Sequence, residues 1–144
     1  MFGLPGGGKT YIANIFLKFL KENKLEKLFL RVHFQEFMSM VHRKVNLLRE
    51  EKSKKPLEKI ASEISKSYKL ICFDELEIID IADAMIVSKL FKALLEKNTC
   101  FIITSNFIPK DLYKNGLQRD QFIPFIKIIE TKMCLLKINN NLDL

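Results

Sequence analysis

The sequence predicts an α/β fold, a mostly parallel sheet with helices on both faces. Three observations carry that prediction. Short, almost uniformly apolar runs (LFLRVHF at 28–34, LICF at 70–73, CFIIT at 100–104) alternate with longer stretches of helical periodicity. The runs lack the polar alternation of a sheet with one wet face, so they read as strands covered on both sides. A glycine-rich turn, GLPGGGKT at 3–10, stands directly before the first helical stretch, where phosphate binding requires a helix N-terminus.

Each element has its own signature. Residues 9–22 read as a helix with Ile12, Ile15, Phe16, Phe19 and Leu20 on one apolar face. After the strand run at 28–34, residues 36–49 and 57–67 read as two helices, the second following Pro56, with the polar stretch 50–55 as the loop between them. The run LICF ends in Asp74 and Glu75 and leads to a strong helical pattern at 80–97, for which Asp80 is a plausible cap. The strand at 100–104 leads into Ser105 and Asn106. A helical turn follows Pro109, then Gly116, then a helix over 117–130 interrupted by Pro124. Residues 133–138 read as one more strand and 139–144 as a frayed tail, so the domain is expected to occupy 1–138.

Composition sets the class. No apolar run approaches the 18 residues of a membrane span, and the glycine-rich start is unlike a secretory signal, so the cytoplasm is the expected compartment. The net charge of +7 suits a polyanion partner, but its lysines are dispersed, and a solvated surface is the expected reading. Nucleic acid is not the expected partner. Cys72, Cys100 and Cys134 form no metal-ligand spacing and lie in apolar runs, which predicts three buried, reduced thiols.

The chemistry-bearing residues begin with Gly3, Leu4, Pro5, Gly6, Gly7, Gly8, Lys9 and Thr10, which fit G-x-x-x-x-G-K-[ST]. Glycines let the backbone approach phosphate oxygens, successive N–H groups form an anion nest, and the helix N-terminus adds positive potential. Lys9 is expected on the β- and γ-phosphates of ATP, and the Thr10 hydroxyl on Mg²⁺. At the strand end after LICF, Asp74 is the second expected Mg²⁺ ligand and Glu75 the general base for the attacking water. Asn106, or next to it Thr104, is placed to hydrogen-bond the γ-phosphate or that water; a turn-forming Asn is the other reading. Arg119 is either a surface residue or a finger donated to a neighbouring subunit's nucleotide.

GLPGGGKT, RVHFQEFMSMVH, LICFDELEIIDIADAMIVSKLFKALL, TSN and IPKDLYKNGLQRDQFIPFI together resemble the AFG1-like ATPase family of the AAA+ class, over nearly the whole chain. DIADAM and DLYKNGLQR are its most specific parts. The resemblance implies a three-layer P-loop NTPase core, ATP hydrolysis with Mg²⁺, and a homo-oligomer with nucleotide at the subunit interfaces. It implies protein substrates, among them division-ring or membrane-associated proteins, and a place at the inner membrane or division site for bacterial members. In family terms residues 3–10 resemble Walker A, 72–75 the end of Walker B, Asn106 sensor 1 and Arg119 the arginine finger.

The chain departs from the family at several points. Family members carry a first strand before Walker A, lying inside the sheet, and a helical lid after the core. Neither is expected here, which predicts a gap with two unpaired interior edges. Gln35, Leu76 and Glu77 stand where His, Phe and Gln are usual. Two other readings follow: a remnant that binds nucleotide weakly or not at all, and a DNA-associated loader ATPase, whose DNA binding would be strongly salt-sensitive.

Overall fold

The computed structural model describes residues 1–139, so apart from Asn139 the expected tail lies outside the described residues. In chain order the elements are α1 (Lys9–Glu22), β1 (Phe29–His33), α2 (Phe34–Glu50), α3 (Pro56–Ser67), β2 (Leu70–Asp74), α4 (Ile81–Glu96), β3 (Cys100–Ile103) and α5 (Arg119–Lys132). Short 3-10 turns occupy Glu26–Leu28 and Pro109–Asp111.

Local chemistry explains the boundaries. Pro56 opens α3, where its missing N–H costs nothing. The Asp80 carboxylate accepts the Asp83 N–H at 2.9 Å and caps α4. Pro124, expected to interrupt the last helix, is accommodated within α5. It lies early in the helix and deprives only the carbonyl of exposed Asp120 of a donor.

The three strands are parallel in the order β1-β2-β3. Register pairs Phe29 with Leu70 through His33 with Asp74, and Leu70 with Cys100 through Phe73 with Ile103. The carboxyl ends of all three strands therefore meet along one edge, where open α/β sheets bind ligands. Side-chain alternation divides the sheet between two cores. On one face Cys72 packs with Ala13 and Leu17 of α1. The other face carries the main core, built with α2, α3, α4 and α5. Phe73 lies at its centre, with the rings of Phe34, Phe37, Phe91 and Phe101 at centroid distances of 4.7–6.0 Å.

Three expectations are corrected. Residues 133–138 do not form a strand; Lys137 alone makes an isolated parallel bridge to Phe2, which also bridges Ser105. Phe2 N–H donates to Leu136 O at 2.9 Å and Ile138 N–H to Phe2 O at 2.8 Å. On the other side Ser105 N–H reaches Met1 O at 3.0 Å and Met1 N donates to Ile103 O at 2.6 Å. Residues 1–3 are wedged between the end of β3 and 136–138. Beneath them lies an apolar cavity of about 500 Å³, lined by β3, residues 133–136 and the Ile12–Phe16 side of α1. The two interior strand edges expected are not both formed, since 133–138 is no strand, and Phe2 closes the top of the cavity.

The second correction concerns α1. Helix α1 buries Ala13 and Leu17, while Ile12, Ile15, Phe16 and Phe19 are 40–57% exposed. The stripe with most apolar side chains faces the cavity and solvent, because the sheet surface available to α1 is the narrow strip around Cys72. Third, only Cys72 is buried; Cys100 and Cys134, both lining the cavity, are exposed.

Candidate nucleotide-binding site

The loop before α1 folds on itself. Gly8 precedes the helix at φ 87° and ψ 6°, and Gly6 adopts φ 77°, both left-handed conformations that cost a side-chain-bearing residue energy. No acidic residue occupies the first turn of α1, so its positive end is open to an anion. The Lys9 side chain turns back beneath the loop, where its ammonium donates to Gly3 O at 2.8 Å and Leu4 O at 2.7 Å. Two neutral carbonyls thus hold a buried cation close to where phosphate oxygens would arrive.

Parallel register brings the strand ends to this loop. Glu75 follows β2 at φ 58°, a conformation uncommon for a residue with a side chain, and its N–H donates to the Thr104 hydroxyl at 3.1 Å. Thr104 N–H in turn donates to Phe73 O at 3.0 Å, and Leu76 N–H to Thr104 O at 2.8 Å. The backbone around Glu75 is therefore clamped while its carboxylate stays 77% exposed, 4.0 Å from His33 Nδ1. Ser105 Oγ donates to Leu76 O at 2.7 Å and accepts Phe107 N–H at 3.1 Å, fixing the turn that carries Asn106.

One cleft of about 370 Å³ is lined by Pro5, Gly6, Gly7, Gly8, Lys9 and Thr10 together with Glu75, Thr104, Ser105 and Asn106. Gly3 and Leu4 lie behind it as the acceptors of Lys9. Asp74 is buried at the end of β2, its carboxylate forked by Arg31: Nε to Oδ2 at 2.7 Å and Nη2 to Oδ1 at 3.2 Å. That hydrogen bond, more than its charge, raises the Arg31 guanidinium above its usual range. Neither Asp74 nor Arg119 lines the cleft; the Arg119 Nη2 donates to Lys110 O at 2.6 Å and Leu112 O at 3.4 Å.

The oxygen donors suit a hard cation. Among the described residues no three His, Cys, Asp or Glu side chains converge as a metal cage. The Thr10 hydroxyl and the Asp74 carboxylate are what Mg²⁺ uses when substrate phosphates supply further ligands. Sequence reasoning passed over Arg31 and the bracing role of Ser105. An arginine flanked by apolar residues in mid-strand was the available signal for the former, since a half-buried cation needs a partner.

Comparison with known proteins bears on the same residues. The family model for AFG1-like ATPases matches residues 1–144. The chain is 38% identical over 152 residues to lactation elevated protein 1 homolog B of Danio rerio, covering 99% of this chain and 29% of that protein. It is 35% identical over 143 residues to the cell division protein ZapE of Escherichia coli K12, covering 99% of this chain and 36% of that protein. It therefore spans about a third of the length of these curated relatives. No solved structure matches it. Among the described residues no helix is long and apolar enough to cross a membrane. The match runs from the glycine loop through the acid-bearing strand end to the last helix, and the chain belongs to the AFG1-like ATPase family.

Proposed function

We propose that the chain binds Mg²⁺-ATP in this cleft and hydrolyses its γ-phosphate. The observation that supports the reading is the convergence of residues 5–10, Glu75 and Asn106 on one cavity from three separate stretches of chain. Loop N–H groups and the α1 N-terminus take phosphate oxygens, and Lys9 exchanges the carbonyls of Gly3 and Leu4 for β- and γ-oxygens. Thr10 and Asp74 hold Mg²⁺, which when bound neutralises charge building up on the phosphates. Glu75, with its backbone clamped and its carboxylate free to face solvent, accepts the proton of the attacking water. Asn106 hydrogen-bonds the γ-phosphate or that water. In a homo-oligomer Arg119 reaches a neighbouring subunit's nucleotide. The bacterial relative is named a cell division protein, and with the family resemblance we extend the reading to a cytoplasmic protein acting on protein partners at the division site.

The test is a thermal-shift titration with Mg²⁺-ATP alongside phosphate-release kinetics. A folded-state ligand at 100 times its dissociation constant adds about 2.7 kcal/mol. The expected result is a shift lost in Lys9→Ala and turnover lost in Glu75→Gln. A cooperative melt that Mg²⁺-ATP leaves unmoved overturns the reading.

A further inference from the structure

Arg31 lies in the middle of β1, opposite Cys72, on the sheet face that α1 covers. Its guanidinium joins three elements. Nε and Nη2 fork the Asp74 carboxylate at the end of β2, and Nη1 donates to Asn14 Oδ1, one helical turn beyond Thr10 in α1. The arginine side chain is 29% exposed and that of Asp74 12%, so water screens the pair only partly. Both carboxylate oxygens already accept a hydrogen bond. A cation approaching Asp74 therefore meets a neutralised carboxylate with a fixed positive charge beside it. Among the described residues no cage of three or more metal-binding side chains offsets this.

We propose that Arg31 is a positioning counter-ion for Asp74: it fixes the carboxylate at the end of β2 and competes with a divalent cation for it, so that metal enters with a polyphosphate rather than ahead of it. The four or so negative charges of a triphosphate supply the attraction that Asp74, paired with Arg31, does not. Released from Arg31, the carboxylate would bind the cation more tightly in the absence of nucleotide; paired with it, the carboxylate binds more weakly until phosphate arrives. The proposal rests on Asp74 as the metal-side carboxylate.

The experiment is Mn²⁺ binding without nucleotide, read by loss of the free-ion electron paramagnetic resonance signal and repeated with Mg²⁺ as competitor. Arg31→Gln removes the charge and keeps a donor; Arg31→Lys keeps the charge and loses the fork. The expected result is weak binding by wild type and Arg31→Lys, and at least tenfold tighter binding by Arg31→Gln that a second change, Asp74→Asn, abolishes. Asn14→Ala, which releases one arm of the guanidinium at the exposed end, covers the case in which Arg31→Gln does not fold; two- to fivefold tighter binding is expected. Unchanged or weaker Mn²⁺ affinity in a folded Arg31→Gln, or in Asn14→Ala if Arg31→Gln unfolds, overturns the proposal. Tighter binding that survives Asp74→Asn overturns it too. Mg²⁺-ATP binding measured on the same samples separates this failure from failure of the ATPase reading, because the Mn²⁺ titration needs no nucleotide.

Discussion

Glu75 and Thr104 are joined across two strand ends: the Thr104 hydroxyl accepts the Glu75 N–H at 3.1 Å while Glu75 holds φ 58°. The bond holds a left-handed residue at the point where its side chain faces the cleft. Thr104→Val keeps the volume and removes the acceptor, leaving that N–H without this partner. Expected is a stability loss of about 1–3 kcal/mol. ATP hydrolysis falls on the order of 10²-fold, as for a displaced catalytic group, with ATP affinity kept. Urea melts and single-turnover kinetics check both; full turnover in a folded variant would show that the clamp does not position the carboxylate.

Lys9 and Glu75 divide binding from chemistry. Lys9 is buried beneath the loop with its ammonium on two carbonyls, so Lys9→Ala removes a cation packed against the glycine turn. Nucleotide affinity is expected to fall below detection by calorimetry. Glu75→Gln preserves shape and loses the base, so affinity stays while turnover drops about 10²–10⁴-fold. The reverse pattern would contradict these assignments.

Much of this was legible in the sequence, and the reasons are physical. Buried parallel strands are nearly uniform in apolarity, so β1, β2 and β3 stood out, and the acids and Asn106 fell at their carboxyl ends as a parallel sheet requires. The Asp80 cap was legible because capping is local. What failed depended on the neighbouring surface. The apolar stripe of α1 is real, but with a narrow strip of sheet beneath it the helix buries Ala13 and Leu17. Residues 133–138 have strand composition, yet among the described residues only Phe2 bridges to them, at Lys137. Cys100 and Cys134 are exposed because both border the cavity. Arg31 was invisible as a partner of Asp74 because the pairing depends on register between strands 43 positions apart.

The loop glycines differ in what they spare. A Cβ on Gly3 would sit 2.3 Å from Ile138 O, whereas a Cβ on Gly8 would meet nothing within 4 Å, although its φ of 87° is equally unsuited to a side chain. Gly8→Ala is expected to cost about 1–3 kcal/mol through backbone strain alone. Gly3→Ala adds a clash that forces 136–138 away from Phe2, for roughly 1–3 kcal/mol more. Parallel denaturant melts give the order; equal losses would mean that residues 136–138 move aside freely.

Burial within the sheet pushes the Cys72 thiol up to about 11. The thiolate is the reactive form, so Cys72 stays unreactive at pH 8 while folded. Exposed Cys100 and Cys134 should label with a maleimide within minutes, and Cys72 only on unfolding. Mass spectrometry of peptides after timed labelling reads this directly. Fast labelling of Cys72 would place it outside the α1 interface.

Helices α2 and α4 are tied by His42 Nε2 and Asp83 Oδ1 at 2.7 Å, with the Asp83 side chain 4% exposed. Burial raises the Asp83 carboxyl above its ordinary 3.8, opposed by the hydrogen bond to His42, while the nearby Asp80 charge adds to the rise. A carboxyl with a raised folded value holds its proton more tightly folded than unfolded. Its contribution to stability is therefore largest below about pH 3.9 and is lost as pH climbs through the folded value. Asp83→Asn is always neutral and lacks this dependence. Wild type should gain on Asp83→Asn as pH falls from 7 towards 4. His42→Ala leaves the buried carboxylate without its side-chain partner and should cost about 1–3 kcal/mol at pH 7. Urea melts of the three proteins at pH 4.5, 5.5 and 7 decide it: a wild-type advantage that shrinks on acidification would show that Asp83 enters the fold already ionised and fully compensated.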